Sequence, residues 1–292
     1  MRLETKLFDE VRPFTVVRLG DENAPVRVTE REQDEQSLWD VDNGRCAWTV
    51  APDYHGGVIA WREAGSEVNQ LMTAFPENGE LGWTKPWFGG VFPIAMPRKE
   101  DFEGWPGKLH EETFTATLFE AACEGGIAWR GVRVATSMRQ ERCEGVRAEI
   151  VYLTVGGSNV LKVVYRLVNE TGVYRRFTQG LQTFCQVDGR HQDTVVYGDG
   201  FQRKRTSQVS WLEVGSWGAA VNPDSGRALV VVGAGEHKQV ELADWGVDGG
   251  HVMIYNYITL APHGSHELVA YLALAESLDE ARRYGSLAGG GV

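Results

Sequence analysis

The chain has 292 residues and a mass of 32.4 kDa, a length that fits one large β-domain or two ordinary domains. Hydrophobic residues make up 42% of it and charged residues 24%, a composition that favours a sizeable core and argues against disorder. The 29 basic and 40 acidic residues give a formal charge of −11. Nucleic acid is therefore not an expected partner, because phosphate-binding surfaces need clustered Lys and Arg.

Targeting and redox signals are sparse along the chain. No run of about 18 apolar residues occurs, and the N-terminus carries charges where a secretory signal has its apolar stretch. We therefore expect a cytoplasmic protein with no membrane partner. The four cysteines are widely spaced and form no Cys-x-x-Cys pair, so buried free thiols are favoured over a disulfide scaffold or a zinc knuckle.

Short apolar runs rich in β-branched and aromatic residues predict strands at 45–50, 148–155, 160–167 and 228–232. Between Arg147 and Phe184, two turn sequences at 156–159 and 169–172 separate three such runs, which predicts an antiparallel meander. Many strands of this kind in one chain imply a large sandwich.

Residues 75–107 differ in character, since they hold five prolines and three tryptophans, Trp83, Trp87 and Trp105. Prolines at this density argue against a continuous ladder, so we expect a loop-like segment with much aromatic surface. The segment either lines a binding site or seals one end of the sandwich with its tryptophans. Both interpretations stay open at this stage.

The C-terminal region carries the clearest helix signal. Ser277 and Glu280 form a Ser-x-x-Glu capping box, which predicts a short helix that ends near Tyr284. The glycine-rich tail at 286–292 is expected to fray, or to link to further domains after Val292.

The order of several turns and strands resembles the galactose mutarotase-like superfamily, to which the aldose 1-epimerases belong. The resemblance covers about residues 39 to 275. It is carried by the Asn43-Gly44 hairpin within 39–52, the following 53–61, Pro86-Trp87-Phe88-Gly89-Gly90-Val91-Phe92-Pro93, 108–112, 169–172 with 177–182, and Leu260-Ala261-Pro262-His263-Gly264-Ser265.

This resemblance implies an all-β fold, a large antiparallel β-supersandwich with a short C-terminal helix. Residues 1–38 would add N-terminal strands to the sandwich, 39–275 would form the mutarotase-like sandwich itself, and 276–292 would form the helix and a flexible tail. A sugar or oligosaccharide would bind in a cleft bordered by the Gly89-Gly90 turn.

Three positions depart from the epimerase pattern. Gln182 stands where the epimerases carry their general-acid histidine, and an amide cannot deliver a proton near neutral pH. The arginine of the family's His-Gly-x-x-Arg segment falls at Phe114 by spacing, and 253–257 lacks the expected acidic residue. Ordinary aldose mutarotation is therefore not expected.

His110 and Glu112 are the candidate catalytic pair that could replace the lost one. If residues 108–112 form a strand, His110 and Glu112 share one face while Glu111 points away. A nearby carboxylate would then favour the imidazolium form and prepare the histidine to act as an acid. The alternative is an edge strand with solvated charges.

Candidate sugar-binding residues combine aromatic and polar side chains, because pyranose rings stack on indole while amides and charged groups bond their hydroxyls. His55 precedes Gly56-Gly57, where missing side chains would allow a ligand close to the backbone, or it is an ordinary turn residue. The predicted substrate-binding residues are Trp83, Trp87, Trp105, His55, Arg98 and Gln182. His263 and His266 lack an adjacent third ligand, so we assign no metal site and no cofactor.

Three functions are compatible with these observations. The first is a carbohydrate-binding or carbohydrate-processing protein in which the epimerase acid is replaced. The second is a divergent sugar epimerase or lyase-like enzyme that uses His110 with a carboxylate, or an enzyme of another carbohydrate-active class. The third is a non-catalytic structural β-sandwich, and the fold alone does not choose among them. The sequence also leaves open whether the protein is a homodimer.

Overall fold

The computed structural model describes residues 15–21, 24–81, 84–98, 107–122, 128–192, 194–198, 201–204, 210–235, 239–244 and 250–289. The strands run in chain order as β1 Arg27–Gln33, β2 Gln36–Asp42, β3 Cys46–Ala51, β4 Gly57–Glu63, β5 Gly79–Leu81, β6 Thr84–Trp87, β7 Val91–Pro97, β8 Thr115–Ala122, β9 Ala128–Ser137, β10 Val146–Thr154, β11 Val160–Asn169, β12 Arg175–Phe184, β13 Val195–Gly198, β14 Phe201–Lys204, β15 Ser210–Val214, β16 Trp217–Val221, β17 Ala228–Ala234, β18 Gln239–Asp244, β19 Gly250–Leu260 and β20 Ser265–Ala275.

Two antiparallel sheets of nine strands each form the described part of the sandwich. Sheet I has the order β1-β2-β3-β4-β7-β12-β19-β18-β15, and sheet II has the order β14-β13-β16-β17-β20-β11-β10-β9-β8. Strands β5 and β6 form a separate hairpin. The predicted fold class, a large antiparallel β-supersandwich, is confirmed.

The main core lies between the two sheets, where alternate residues of each strand meet. Large side chains such as Trp48, Tyr152, Tyr165 and Phe177 are fully buried there. Tyr152 and Tyr165 of sheet II also donate hydrogen bonds toward sheet I. The hydroxyl of Tyr152 lies 2.9 Å from the carbonyl oxygen of Gly56, just before β4, and that of Tyr165 lies 3.1 Å from the carbonyl oxygen of Ile94 in β7. Apolar burial and these bonds together fix one sheet against the other.

The predicted meander across residues 147–184 is only half correct. The first two runs pair as β10 and β11, but the third run, β12, lies in sheet I between β7 and β19. The chain crosses between sheets after Asn169, whose side-chain amide donates to the carbonyl oxygens of Val173 and Ala261 at 2.7 and 2.9 Å. Both faces of β12 are buried from Phe177 to Phe184, which requires the central position that it occupies.

The loop-like expectation for residues 75–107 is wrong where β5, β6 and β7 form. Strand β7 is paired with β12 in register, and Pro93 lies opposite Leu181. On its other side β7 is in register with β4 at Val91 and Val58, so Pro93 lies beyond that pairing and its missing N–H breaks no ladder bond there. Trp83 and Trp105 fall outside the described residues.

The predicted C-terminal helix is present as α1, Leu278–Tyr284. The Ser277 hydroxyl accepts a bond from the Glu280 N–H at 3.2 Å, and the Glu280 carboxylate accepts one from the Glu276 N–H at 2.8 Å. The prediction of a frayed tail is wrong for 286–289, which belong to the 3₁₀ helix Gly285–Gly289 with Leu287 buried against the outer side of sheet II. Residues 290–292 lie outside the described part.

The N-terminal segment was expected to add strands to the sandwich. Strand β1 and the beginning of β2 form a hairpin at one edge of sheet I, while residues 15–21 have no regular secondary structure. Residues 1–14 lie outside the described part of the chain. No helix of the described residues is long and apolar enough to cross a membrane.

Candidate functional site

One side of sheet I faces away from sheet II and carries a mixture of aromatic, sulfur-containing and polar side chains. Side chains alternate along a strand, so every second residue of the adjacent strands β7, β12 and β19 lies on this side. We call it the outer face, and define it by Phe92, Ile94 and Met96 of β7, Gln182 and Phe184 of β12, and His251, Met253 and Tyr255 of β19.

Gln182 is the central polar group of the outer face. Its side chain is fully buried, and its amide Nε2 lies 3.0 Å from Nδ1 of His251. An amide N–H can only donate, so the imidazole Nδ1 accepts this hydrogen bond. The other amide atom, Oε1, is buried and has no hydrogen-bond partner among the described residues. A buried acceptor in this state costs about 1 to 3 kcal/mol and calls for an explanation, such as a bound ligand.

Aromatic rings surround the hydrogen-bonded pair of Gln182 and His251. The ring centroid of Phe184 lies 5.2 Å from that of His251 and 5.5 Å from that of Trp87, while Phe92 stacks on Phe184 at 6.3 Å. Trp87, the predicted stacking residue, therefore lies over the outer face, but it is only 7% exposed. Its indole Nε1 is a second buried polar atom without a partner among the described residues.

His55 lies in an aromatic environment beside the outer face. Its ring centroid is 4.7 Å from that of Phe88 and 5.2 Å from that of Phe92. A Cβ added at Gly57 would lie 2.4 Å from Cε1 of His55, so the space expected for a ligand beside Gly57 is occupied by the imidazole itself. Burial lowers the pKa of His55 to about 3, so the ring is neutral at physiological pH.

The strand assumed for residues 108–112 is wrong, because Leu109–Glu111 form a 3₁₀ helix. Glu112 turns away from His110 and accepts hydrogen bonds from the backbone N–H groups of Arg139 and Gln140 at 2.7 and 3.0 Å. The carboxylate beside His110 is that of Glu111, with Oε1 3.6 Å from the imidazole Nε2.

Protonation of His110 also differs from the expectation. Burial lowers its pKa, although the neighbouring Glu111 acts in the opposite direction. The ring packs near Phe88, with centroids 5.6 Å apart, and so adjoins the environment of His55. The structure thus brings the two histidines to one aromatic region and does not pair His110 with Glu112.

Arg98 marks the exposed end of this side of sheet I. Its guanidinium lies 4.3 Å from the ring centroid of Tyr257, a side chain that is 53% exposed. The backbone N–H of Arg98 donates to the carbonyl of Arg176 at 2.9 Å. Arg176 lies six residues before Gln182 on β12, about 20 Å along a strand. Arg98 therefore does not contact Gln182 or His251.

Sequence reasoning missed His251 and Tyr257. Both lie on β19, and alternation along this strand puts them on the same side as Met253. The register that sets His251 beside Gln182, however, depends on pairing with a strand almost seventy positions away in the sequence. Among the other candidates, His266 lies 2.6 Å from the Gln179 amide oxygen through Nδ1. Among the described residues, no group of three or more His, Cys, Asp or Glu is placed to hold a metal ion.

A scan against protein-family models and a search of curated proteins find no match to this sequence. Solved structures do match. A provisionally assigned aldose 1-epimerase from Klebsiella pneumoniae is similar with a TM-score of 0.66 and 9% identity over 91% of this chain and 88% of its own. A galactose mutarotase-like protein from Clostridium acetobutylicum gives a TM-score of 0.62 and 12% identity over 85% and 98%.

The fold also occurs inside a larger enzyme. An α-galactosidase from Geobacillus stearothermophilus is similar with a TM-score of 0.52 and 12% identity over 86% of this chain and 41% of its own. Identities this low establish the fold and nothing further about chemistry. The chain has the galactose mutarotase-like fold, as the sequence resemblance predicted, in a divergent form.

Proposed function

We propose that this protein binds a carbohydrate at the outer face of sheet I, with Gln182 as the central polar contact, and that it lacks ordinary mutarotase activity. The observation that carries the proposal is the buried Gln182 amide, which has one hydrogen bond to His251 and an oxygen without a partner among the described residues. The solved structures with this fold support it, because they include a provisionally assigned aldose 1-epimerase, a galactose mutarotase-like protein and an α-galactosidase.

The chemistry of the face suits a sugar. A sugar hydroxyl both donates and accepts, so one hydroxyl can donate to Oε1 of Gln182 while another accepts from the indole Nε1 of Trp87. The C–H faces of a pyranose ring match aromatic surfaces such as those of Phe92 and Phe184. Trp83 and Trp105 remain proposed stacking residues from the neighbouring segment, and Arg98 a proposed polar contact at the exposed end.

The absence of mutarotase activity follows from the proton transfers that this reaction needs. Mutarotation requires a general acid and a general base on opposite sides of the sugar, and a glutamine amide does neither task near neutral pH. His55 is held neutral by burial, and Glu112 is bonded to the backbone of 139–140. Neither residue supplies the acid that Gln182 replaces.

His251 supports a second candidate, a divergent sugar epimerase or lyase-like enzyme. Its imidazole is in direct contact with Gln182, whereas the described contacts of His110 do not include Gln182. In that case His251 would exchange the proton, and Gln182 would orient its ring through Nδ1.

Two measurements test the proposal. A thermal-shift screen against monosaccharides, uronic acids and short oligosaccharides should find at least one ligand that raises the melting temperature, since ligands of the native state stabilise it. Polarimetry with glucose and galactose should show no acceleration of anomer exchange by the purified protein. Rapid exchange that is lost in His251→Ala but kept in His110→Ala would favour the second candidate, while exchange lost in His110→Ala would restore the role first predicted for that residue. Failure of every sugar in the screen would favour a structural module.

A further inference from the structure

A second concave site lies away from the outer face, where α1 packs on β17 and β20 of sheet II. It is an open cavity of about 470 Å³ lined by residues 16–21, the β2–β3 turn, the β10–β11 turn and α1. Its volume is within the range of small-molecule sites. The side chains that matter for its chemistry are Arg18, Arg45, Arg283, Asn159 and Tyr284.

The walls of this cavity are held by hydrogen bonds. The N–H of Asp21 donates to the carbonyl of Gly156 at 2.7 Å, which fixes the N-terminal segment to the β10–β11 turn. The hydroxyl of Tyr284 donates to Oδ1 of Asn159 at 2.8 Å, and both side chains are buried. Burial raises the pKa of Tyr284 to about 12, so it remains a neutral hydroxyl. The cavity is therefore built into the fold.

The arginines of the cavity are paired more weakly than those in the tight ion pairs of the protein. Arg31 and Arg227 lie 2.6 Å from their carboxylate partners. In the cavity, the guanidinium of Arg18 lies 3.8 Å from the Asp21 carboxylate and that of Arg45 lies 3.9 Å from the Glu276 carboxylate, while Arg283 has no ion pair among the described residues. Long, exposed pairs of this kind contribute little stability and leave the guanidinium groups able to bind another anion.

Two carboxylates also line the cavity, Asp21 and Glu280 of α1, so its three arginines leave a net positive charge. The carboxylate of Glu280 accepts a hydrogen bond from the Glu276 N–H at 2.8 Å and lies 3.2 Å from the Tyr284 hydroxyl, whose hydrogen is donated to Asn159. Arg45 and Arg283 therefore present positive charge to the cavity in a protein whose net charge is −11. A local positive site in an acidic protein concentrates small anions at that place.

We propose that this cavity binds a small phosphate-bearing molecule, with Arg45 and Arg283 as its principal contacts. A guanidinium presents paired N–H donors that match phosphate oxygens. Two guanidinium groups also match the two negative charges of a phosphate dianion better than the single charge of a carboxylate ligand. The buried Tyr284 and Asn159 form the wall behind the phosphate, and the remaining volume accommodates the rest of the molecule. This site is independent of the carbohydrate site proposed above.

Isothermal titration with inorganic phosphate, at an ionic strength held constant with sodium chloride, tests the proposal. The wild-type protein should bind phosphate saturably at one site, and the double variant Arg45→Ala/Arg283→Ala should bind it about tenfold more weakly or not at all. Arg282→Ala is the matched control, because Arg282 is the neighbouring residue on α1 and pairs with Asp279 at 3.0 Å outside the cavity lining. Its affinity for phosphate should equal that of the wild type.

Circular dichroism and the melting temperature establish that all three proteins are folded before titration. Non-saturable heats in the wild type would overturn the proposal. The same conclusion would follow if Arg282→Ala weakened binding as much as the double variant did, because the effect would then reflect surface charge in general.

Discussion

Buried amides differ between two regions of this molecule. In the turn between β2 and β3, Asn43 donates to the Thr154 hydroxyl and the Ser158 carbonyl at 2.9 and 2.7 Å, and its oxygen accepts from two backbone N–H groups. On the outer face, Gln182 is equally buried but bonds only to His251 among the described residues, and its oxygen has no partner there. The first amide is fully bonded by the protein, and the second is not.

This difference separates a structural role from a binding role. A fully bonded buried amide stabilises the fold, because its removal leaves several protein groups without partners. A buried amide with a missing partner does not contribute this stability, and retains the capacity to bond a ligand. For the two amides, the comparison predicts a loss of stability when Asn43 is replaced and a loss of ligand affinity when Gln182 is replaced.

The largest effect is expected for Trp87→Ala. Trp87 is 7% exposed and packs edge-on against Phe184, so its removal should lower the free energy of unfolding by about 4 kcal/mol, measured by urea denaturation. Trp48→Ala is the matched control, since Trp48 is buried between the sheets and packs against Trp61 at 5.4 Å. We expect a similar loss of stability in both variants, but a loss of sugar affinity only in Trp87→Ala. Unchanged affinity in Trp87→Ala would mean that this residue only fills the face.

Asn43→Leu tests the structural region. Leucine has a similar volume but satisfies none of the four hydrogen bonds of Asn43, so the free energy of unfolding should fall by about 3 kcal/mol. The midpoint of urea unfolding gives the change, and sugar affinity measured on the folded variant should not move. A loss below about 1 kcal/mol would show that bonding state does not distinguish the two amides.

A pH effect is expected from His55, a buried residue beside the outer face whose two ring nitrogens have no hydrogen-bond partner among the described residues. Its pKa of about 3 in the folded protein lies below the value of about 6.5 for an unfolded chain, so the folded state favours the neutral ring. The contribution of this group is fully present above pH 6.5 and is lost as the pH falls toward 3. Between pH 7 and pH 5 the loss is about 2 kcal/mol.

Unfolding by urea at a series of pH values measures this contribution against His55→Asn. Asparagine does not titrate and tolerates the φ of 55° at this position. The variant should be less stable at pH 7 because it loses ring packing, but its stability should decline less steeply than that of the wild type between pH 7 and pH 5. Parallel declines would indicate that His55 titrates normally in the folded protein.

The sequence was sufficient for those elements whose signals are local. Asn43-Gly44 between two alternating runs specifies the β2–β3 hairpin, and the capping box at Ser277 specifies α1. The crossing of β12 into sheet I could not be read in this way, because short apolar runs look alike whether they pair with the preceding strand or with a distant one. The prediction of a loop around Pro93 was wrong for a related reason, since a proline is tolerated in β7 only because β4 stops pairing with β7 before it.

The candidate site was predicted less completely than the fold. Gln182 was found because the resemblance placed it at a known functional position, whereas the contact between Gln182 and His251 joins strands far apart in the chain. The suggested pairing of His110 with Glu112 assumed a strand, and the 3₁₀ helix at Leu109–Glu111 changes which side chains share a direction.

The most direct test of the account is calorimetric titration of a sugar identified in the thermal-shift screen into the wild type and Gln182→Met. Methionine matches the size of glutamine and the variant loses only the hydrogen bond to His251, so the unfolding free energy should fall by about 1 kcal/mol, less than in Asn43→Leu. The affinity should fall about tenfold, since the sugar loses its central polar contact. Equal affinities of the wild type and Gln182→Met would contradict the claim that Gln182 binds the ligand.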